Sequence, residues 1–332
     1  MIDISLADFL ALPESDKVKY IKDHAILYAQ QFSRDQLDGY CRLADACRGV
    51  HKTPAGAEMM ERLLPQRVAM NFFVQPSSRT FLSFSTAQAF LGMKRMEVRD
   101  VNISSISKGE SLEDSVRTFI SYVDLVVIRH HDEDAGARSF WTAMKAHRRL
   151  HVNGEERPIP VVSGGSGRKQ HPTQALLDIY TLEKSFEDTG GIDGKKIMLV
   201  GDLRRGRTVR SLSYLMKNYK DVELFFAAPE HYQMKSDILE FLQEHNISYH
   251  AIDSIDAAVD EVDAIYMTRI QDEWNKQKSG DGEHEKADAA FSFRLEHLAK
   301  MKDDCYLMHP LPKRDEIEES VDFVDDPRVV YW

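Results

Sequence analysis

The stretch Ser-Ser-Arg-Thr at 77–80 places an arginine and three hydroxyl groups between a strongly apolar segment at 68–74 and a helix-like segment at 81–93. If a helix begins here, its first backbone N–H groups lack intrahelical acceptors, and its dipole adds roughly half a positive charge at that end. The guanidinium of Arg79 adds a full charge and several fixed donors. This combination suits a phosphate group, although a serine before a helix is more often only an N-cap.

Other polar residues stand where further predicted strands end. In open parallel sheets, ligands bind outside the carboxyl ends of the strands, so these residues are candidates for ligand binding. The guanidinium of Arg129 strengthens the prediction of an anion site, because two guanidiniums at one cleft favour an anionic ligand. Taken alone, His171 is more often a structural histidine, and Arg269 could simply pair with Asp272 or Glu273. The strand-end residues are Arg129, His171, Gln174, Arg207, Thr208, Arg269 and Gln271, together with His-Pro-Leu-Pro at 309–312.

The sequence has none of the patterns that would support covalent, metal or nicotinamide chemistry. It contains no Ser–His–Asp order, no His-Glu-x-x-His and no Cys-x-x-Cys, and the segment at 200–207 lacks Gly-x-Gly-x-x-Gly. We therefore predict no cofactor and no metal. The three cysteines, Cys41, Cys47 and Cys305, have no metal-binding spacing and suit free thiols in a reducing cytoplasm.

Length and composition limit the classes of protein that this chain can belong to. The chain has 332 residues, which is long enough for two domains of ordinary size. Its content of 42% hydrophobic and 29% charged residues is typical of a globular protein. The net charge of −11, without a strong basic stretch, argues against nucleic acid as a partner. No apolar run reaches the roughly 18 residues of a membrane-spanning helix, and the N-terminus does not resemble a secretion signal. These features predict a cytoplasmic protein with no membrane partner.

The elements that must position the strand-end residues alternate between apolar and amphipathic segments. Strands buried on both faces and separated by helices predict an α/β fold with two domains, each a parallel β-sheet flanked by helices. A turn-rich segment at 188–196 breaks the chain near its middle, a helix from Pro172 precedes it, and 6–50 is predicted to be helical, most clearly at 16–32. The predicted strands are 68–74, 122–130, 158–165, 195–203, 222–229, 247–252, 262–270 and 305–312. The predicted helices after residue 100 are 111–122, 140–147, 172–186, 207–219, 236–245 and 255–262, and 275–290 is a predicted surface loop.

Seven motifs, in their order along the chain, resemble those of the transcarbamoylases. The resemblance extends from about Arg67 to the C-terminal end. Two features favour the members of that family that use aspartate: the end motif His-Pro-Leu-Pro, where ornithine enzymes typically have a cysteine after the histidine, and Thr-Arg-Ile-Gln. The motifs are Ser-Ser-Arg-Thr (77–80), Lys-Gly-Glu-Ser (108–111), Ile-Arg-His (128–130), His-Pro-Thr-Gln (171–174), Gly-Arg-Thr (206–208), Thr-Arg-Ile-Gln (268–271) and His-Pro-Leu-Pro (309–312).

The resemblance implies a carbamoyl-phosphate-binding domain at 1–172 and an aspartate-binding domain at 173–332, with transfer of the carbamoyl group to L-aspartate. Ser77, Ser78, Arg79 and Thr80 would bind the phosphate with Arg129, while Thr80, Arg129 and His171 would face the carbonyl oxygen. Gln174 and the backbone near Pro310 and Leu311 would face the carbamoyl amino group. Lys108, Arg207, Thr208, Arg269 and Gln271 would bind aspartate. The implied catalytic residues are Arg79, Thr80, Lys108, Arg129 and His171.

The resemblance also implies a homotrimer with shared active sites, because the loop with Ser104 and Lys108 reaches a neighbouring subunit in the family. The sequence leaves open whether regulatory chains also bind. Two other functions remain open: a transcarbamoylase for another amine, such as ornithine or a derivative, and a non-catalytic paralogue.

The chain departs from the family pattern at several positions. Gln75, Phe81 and Ser85 stand where the family usually has Glu, Arg and Glu, which indicates coordinated loss of an ion-pair network. Arg205 stands where a tyrosine is common. Family members usually continue beyond the position of Trp332 into another helix.

Overall fold

The chain forms two compact units, which we call the first unit (Met1–Thr173) and the second unit (Gln174–Trp332). Ser104, Lys108 and Gln271 lie outside the described residues, as does most of the loop predicted at 275–290. The computed structural model describes residues 3–21, 24–99, 109–146, 151–152, 155–156, 158–167, 169–270 and 288–331.

The first unit is built around a five-stranded sheet whose described strands are all parallel. Its strand order is β1-β7-β4-β2-β3, and a separate antiparallel pair joins β5 to β6. The strands are β1 (Ala25–Ile26), β2 (Val68–Phe73), β3 (Lys94–Val98), β4 (Leu125–His130), β5 (His151–Val152), β6 (Glu155–Glu156) and β7 (Val161–Ser166). The helices are α1 (Leu6–Ala11), α2 (Glu14–Ile21), α3 (Arg34–His51), α4 (Pro54–Glu61), α5 (Ser78–Phe90), α6 (Leu112–Phe119) and α7 (Ala135–Ala146).

The second unit is built around another five-stranded sheet, again with all described strands parallel. The strand order is β10-β9-β8-β11-β12. The strands are β8 (Lys196–Val200), β9 (Glu223–Ala227), β10 (Ser248–Ile252), β11 (Ala264–Met267) and β12 (Tyr306–Met308). The helices are α8 (Pro172–Ser185), which begins at the division between the units, α9 (Arg207–Leu215), α10 (Ser236–Glu244) and α11 (Leu295–Lys300).

The strand order reverses once in each sheet. In the first unit the chain passes from β2 to β3 on one side and then returns to β4 on the other side of β2. In the second unit it passes from β8 through β9 to β10 and then returns to β11 on the other side of β8. Loops that leave two neighbouring strands in opposite directions open a crevice at their carboxyl ends, which is where ligands bind in folds of this type.

The structure confirms the α/β fold and a strand within each of the eight predicted segments. The central strands are buried along most of their length, so their sequences are continuous apolar runs that are easily recognised.

Two expectations about the elements are wrong, and four strands were not predicted. The segment 16–32 is not one helix, because α2 ends at Ile21 and the apolar residues of β1 pair with β7 at the edge of the sheet. The helix expected at 255–262 is only a 3-10 turn, Ile255–Ala257. Strands β1 and β3 and the pair β5–β6 were not predicted. The first four residues of β3 are exposed, and they lack the apolar pattern of a buried strand.

Candidate active site

The stretch at 77–80 forms the first turn of α5, directly after the central strand β2. Ser77 occupies the position before the helix, with extended backbone angles. Its hydroxyl donates to Oγ1 of Thr80 at 3.1 Å, and among the described residues it caps no backbone N–H of the helix. The Ser77 side chain is therefore not the simple helix cap that its position suggested.

The turn between β2 and α5 is attached to the end of the neighbouring strand β4. The backbone N–H groups of Val74 and Gln75 donate to the carbonyl oxygen of Arg129, at 2.9 and 3.2 Å. This contact holds the start of α5 beside Arg129 at the strand-order reversal of the first sheet.

Two predicted site residues of the first unit, Thr80 and His171, lie next to the guanidinium of a third, Arg129. The side chain is buried, with only 7% of the residue exposed. Its Nη1 donates to the carbonyl oxygen of Gly164 at 2.8 Å and to Oγ1 of Thr80 at 3.3 Å, and it lies 3.4 Å from Nε2 of His171. The ring of His171 also contacts Oγ1 of Thr173 through Nδ1, at 3.4 Å. A buried cation is thus fixed among Thr80, Gly164 and His171.

The structure describes what surrounds two of the three positions, Phe81 and Ser85, at which the chain departs from the family's ion-pair network. Phe81 is buried and meets Phe73 edge to face, with ring centroids 5.4 Å apart. The guanidinium of Arg99, just after β3, lies 4.2 Å from the centroid of the Phe81 ring. Ser85 is buried and accepts a hydrogen bond of 3.4 Å from Asn71. The first turn of α5 is supported here largely by an apolar cluster.

In the second unit, a tight loop after β8 leads to Arg207 and Thr208 at the start of α9. The fully buried carboxylate of Asp202 accepts from the backbone N–H of Arg205 at 3.0 Å and from its Nε at 2.6 Å. The same guanidinium lies 4.7 Å from the ring centroid of Tyr232. Arg205 is therefore part of the scaffold of the loop that presents Arg207.

The backbones after β8 and β11 approach each other closely at the second reversal. A Cβ added to Gly201, whose φ is +109°, would lie 2.1 Å from the carbonyl oxygen of Thr268, so only glycine fits there. Thr268 donates from both its backbone N–H and its hydroxyl to the carbonyl oxygen of Val200, each at 2.8 Å. Arg269 follows directly, and its Nη1 donates to the carbonyl oxygen of Ile270 at 3.2 Å.

A buried carboxyl group that sequence reasoning missed joins two of the predicted site residues. The side-chain amide of Gln174 donates to Oδ1 of Asp178 at 2.9 Å, and the hydroxyl of Tyr266 donates to Oδ2 at 2.8 Å. Tyr266 also shares a side-chain hydrogen bond with Thr208. Burial raises the pKa of Asp178 to about 7, against the lowering effect of the two hydrogen bonds. Burial, and next the carboxyl of Asp178, hold the pKa of Tyr266 well above its ordinary value.

The His-Pro-Leu-Pro motif is held by a second missed carboxyl group, that of Glu316. The backbone N–H of Leu311 donates to Nδ1 of His309 at 2.8 Å, so the ring proton lies on Nε2 and is donated to Oε1 of Glu316, also at 2.8 Å. Both side chains are buried. Leu311 has a left-handed backbone, with φ of 48°, and this network fixes the backbone beside Pro310 in that conformation.

The predicted site residues that the structure describes divide between the units. Apart from Gln174, which lies on α8, they follow the carboxyl ends of strands of their own unit. Within the described ranges no group of three or more His, Cys, Asp or Glu side chains could hold a metal ion. None of the helices in the described part of the chain is long and apolar enough to cross a membrane. The first unit contains Ser77, Ser78, Arg79, Thr80, Arg129 and His171, and the second contains Gln174, Arg207, Thr208, Arg269, Pro310 and Leu311.

Comparison with known proteins identifies the family. Residues 24–184 match the family model described as aspartate/ornithine carbamoyltransferase, carbamoyl-P binding domain. Residues 193–332 match its companion, described as the Asp/Orn binding domain. The chain therefore belongs to the aspartate/ornithine carbamoyltransferase family.

Several similar proteins are named as aspartate carbamoyltransferases or aspartate transcarbamoylases. The chain is 37% identical to aspartate carbamoyltransferase 1, chloroplastic, of Pisum sativum, covering 92% of this chain and 73% of that protein. It is also 37% identical to the aspartate carbamoyltransferase catalytic subunit of Methanocaldococcus jannaschii, covering 82% and 81%. The crystal structure of aspartate transcarbamoylase from Trypanosoma cruzi with N-(phosphonacetyl)-L-aspartic acid superposes with a TM-score of 0.78, at 32% identity, covering 94% of this chain and 91% of that one.

Proposed function

We propose that this chain is an aspartate carbamoyltransferase, which transfers the carbamoyl group of carbamoyl phosphate to the α-amino group of L-aspartate. The observation that carries the proposal is the convergence of Thr80, Arg129 and His171 at the first reversal. The names of the similar proteins support it, as does the Trypanosoma cruzi enzyme solved with carbamoyl aspartate and phosphate. The products are N-carbamoyl-L-aspartate and phosphate.

The first unit binds carbamoyl phosphate in this proposal. The first turn of α5, with Ser77, Ser78 and Arg79, holds the phosphate, because a helix N-terminus and a guanidinium both favour an anion. Arg129, assisted by Thr80, donates to the carbonyl oxygen. Its existing hydrogen bonds to Thr80 and Gly164 fix the guanidinium before the ligand arrives, so little reorganisation is needed during the reaction.

The second unit binds the acceptor. Arg207 and Arg269 follow β8 and β11, the two strands beside the second reversal. Two guanidiniums suit the two carboxylates of aspartate and would repel the cationic side chain of ornithine. This difference in charge is the reason that we prefer aspartate over ornithine as the acceptor.

The reaction requires alignment and charge stabilisation, with no covalent intermediate on the protein. The lone pair of the aspartate nitrogen forms a bond to the carbonyl carbon, and negative charge develops on the carbonyl oxygen. The bond from that carbon to the phosphate oxygen then breaks, phosphate leaves with the bonding electrons, and the nitrogen loses a proton. Positioned donors that meet the developing charge commonly supply a factor of about 10²–10³ each.

An acceptor comparison tests this function. Phosphate release should require both carbamoyl phosphate and L-aspartate, and neither ornithine nor putrescine should replace the aspartate. Equal turnover with ornithine would exclude the assignment of the acceptor, and absence of turnover with every amine would favour a non-catalytic paralogue.

A homotrimer with shared sites in the cytoplasm completes the proposal. α5 and β3 of the first unit leave the apolar side chains of Leu82, Phe90 and Met96 exposed, and we assign these side chains to a subunit interface. Cys41, Cys47 and Cys305 are free thiols, which suits a reducing compartment.

Mixing two inactive variants tests the shared sites. If Lys108 reaches a neighbouring subunit, Lys108→Ala and Arg79→Ala proteins should regain activity after subunit exchange. In a randomly mixed cyclic trimer, about a quarter of the sites combine Arg79 of one subunit with Lys108 of its neighbour, so about that share of the sites is intact. No recovery after exchange confirmed by mass spectrometry would contradict sharing.

A further inference from the structure

Asp178 is a buried acid to which the reaction as described assigns no role. It lies on α8, one helical turn after Gln174, and only 2% of the residue is exposed. Each carboxylate oxygen accepts one hydrogen bond, from Gln174 Nε2 at 2.9 Å and from the Tyr266 hydroxyl at 2.8 Å. Tyr266 lies on β11, and its side-chain hydrogen bond with Thr208 reaches the first turn of α9. One acid therefore links, through β11, the two helices α8 and α9, which carry the proposed site residues Gln174 and Thr208.

The chemistry of this contact decides which end of the Gln174 amide is available to a ligand. A carboxylate can only accept hydrogen bonds, so the amide must turn its NH₂ group towards Asp178. The other end, the carbonyl Oε1, is then the end that remains for a ligand. A carbamoyl –NH₂ group presents donors, and Oε1 is an acceptor. Because the two ends of a glutamine amide are nearly the same in shape, packing alone would select the correct end poorly.

We infer that Asp178 is a positioning residue: its carboxylate fixes the Gln174 amide so that Oε1 accepts a hydrogen bond from the carbamoyl amino group. This inference rests on the proposed function and on the role of Gln174 in it. Through Tyr266, the same carboxylate is linked to Thr208 at the start of α9. Gln174, which faces the carbamoyl group, and Thr208, which binds aspartate, are therefore connected to one buried acid.

Protonation of Asp178 would reverse the orientation. Burial raises the pKa of Asp178 to about 7, and the groups that act on it are the neutral amide of Gln174 on α8 and the phenol of Tyr266 on β11. That phenol stays neutral, because burial raises its own pKa. A protonated Asp178 has an O–H to donate, which favours rotation of the amide to present Oε1 to the acid and NH₂ to the ligand. Affinity for carbamoyl phosphate should then fall as the pH drops below about 7.

The test measures kcat and both KM values across the pH range for the wild type and for Asp178→Asn. The variant keeps the shape of the side chain but has no acid to titrate and offers an N–H donor to the network. We expect its KM for carbamoyl phosphate to rise about tenfold or more at alkaline pH, because the loss of one buried hydrogen bond to the ligand changes affinity by about that factor. The KM for aspartate should change less, and the difference between the two proteins should shrink on the acidic side.

Tyr266→Phe gives an independent test should Asp178→Asn fail to fold. The hydrogen bond from Tyr266 lowers the pKa of Asp178. Its removal should therefore shift to higher pH the acidic limb of the pH profile, which is the range in which the KM for carbamoyl phosphate rises as the pH falls. A purely structural role would reduce stability and leave that limb in place. Asp263→Asn is the matched control, since Asp263 precedes β11 at the opposite end of the strand and contacts Lys196 and Lys302. It should leave the profile unchanged.

Two results would overturn the inference while leaving the proposed function intact. One is an active Asp178→Asn enzyme with the wild-type KM for carbamoyl phosphate at every pH. The other is a Tyr266→Phe enzyme whose acidic limb stays in place. A wild-type protein that carbamoylates no acceptor would instead refute the function itself.

Discussion

Replacing Asp178 by asparagine should change how the stability of the second unit depends on pH. The carboxyl group has an ordinary pKa of 3.8 and a folded-state pKa of about 7. Because the folded-state value is the higher one, the folded protein binds the proton more tightly than the unfolded chain. The stabilisation from this group is therefore complete at low pH and is lost as the pH rises through 7.

The size of the effect follows from those two pKa values. Between about pH 5.5 and about pH 8.5, proton linkage removes about 2 kcal/mol from the unfolding free energy of the wild type. Asparagine does not ionise, so Asp178→Asn loses none of it. Groups that titrate in both proteins cancel in the comparison. The unfolding free energy of the variant, relative to the wild type, should rise by about 2 kcal/mol over this range.

Hydrogen exchange measured by mass spectrometry can follow this change within one unit. Peptides from β8 and β11 report opening of the second unit, and they have identical sequences in both proteins. The ratio of their exchange rates, wild type over variant, should increase about 30-fold from the acidic to the alkaline condition. Peptides from β2 and β4 in the first unit provide the internal control and should show no such trend.

A constant ratio across the pH range would refute the reasoning from burial. It would show that Asp178 is already ionised in the folded protein throughout this range, so that its folded-state pKa lies near or below its ordinary value and its two donors offset the cost of burial.

Three further predictions concern the candidate site and its support. Arg129→Met should reduce kcat/KM by about 10²–10³ by removing the donor to the carbonyl oxygen; steady-state kinetics with a normal circular dichroism spectrum would establish it, and a reduction below tenfold would contradict it. Arg207→Leu should raise the KM for aspartate about tenfold or more, without changing carbamoyl phosphate binding measured by calorimetry. Phe81→Ala should lower the unfolding free energy of the first unit by about 3 kcal/mol, because a buried ring is lost; urea denaturation showing a loss below about 1 kcal/mol would mean that the cluster is loosely packed.

The central strands could be predicted from the sequence because burial on both faces leaves a continuous apolar run. Residues 125–130 and 196–200 show this pattern clearly. The pattern fails for β3, since an exposed edge strand needs no apolar face. It also fails for β1, which is only two residues long and forms because β7 offers an edge to pair with.

The candidate site was predictable wherever a polar residue directly follows a buried strand. Arg129 and Arg269 gave that signal because each stands at the end of an apolar run. Asp178 gave a weaker one, a single acid among apolar residues of a helix, and its meaning depends on Tyr266, 88 positions later in the chain. Glu316 likewise acquires its role only through the folded position of the His309 ring. Contacts of this kind arise from packing, which a local pattern does not encode.

The reversal of strand order in each sheet separates what determines folding from what determines choice of acceptor. The strands and the helices beside them supply most of the buried residues of each unit, while most of the residues proposed to contact substrates lie in the connections that follow the strands of their own unit. Exchange of those connections could therefore alter the preferred amine at little cost in stability. Substitutions at a few positions in these connections could therefore change the substrate, while the sheets and helices of each unit stay the same.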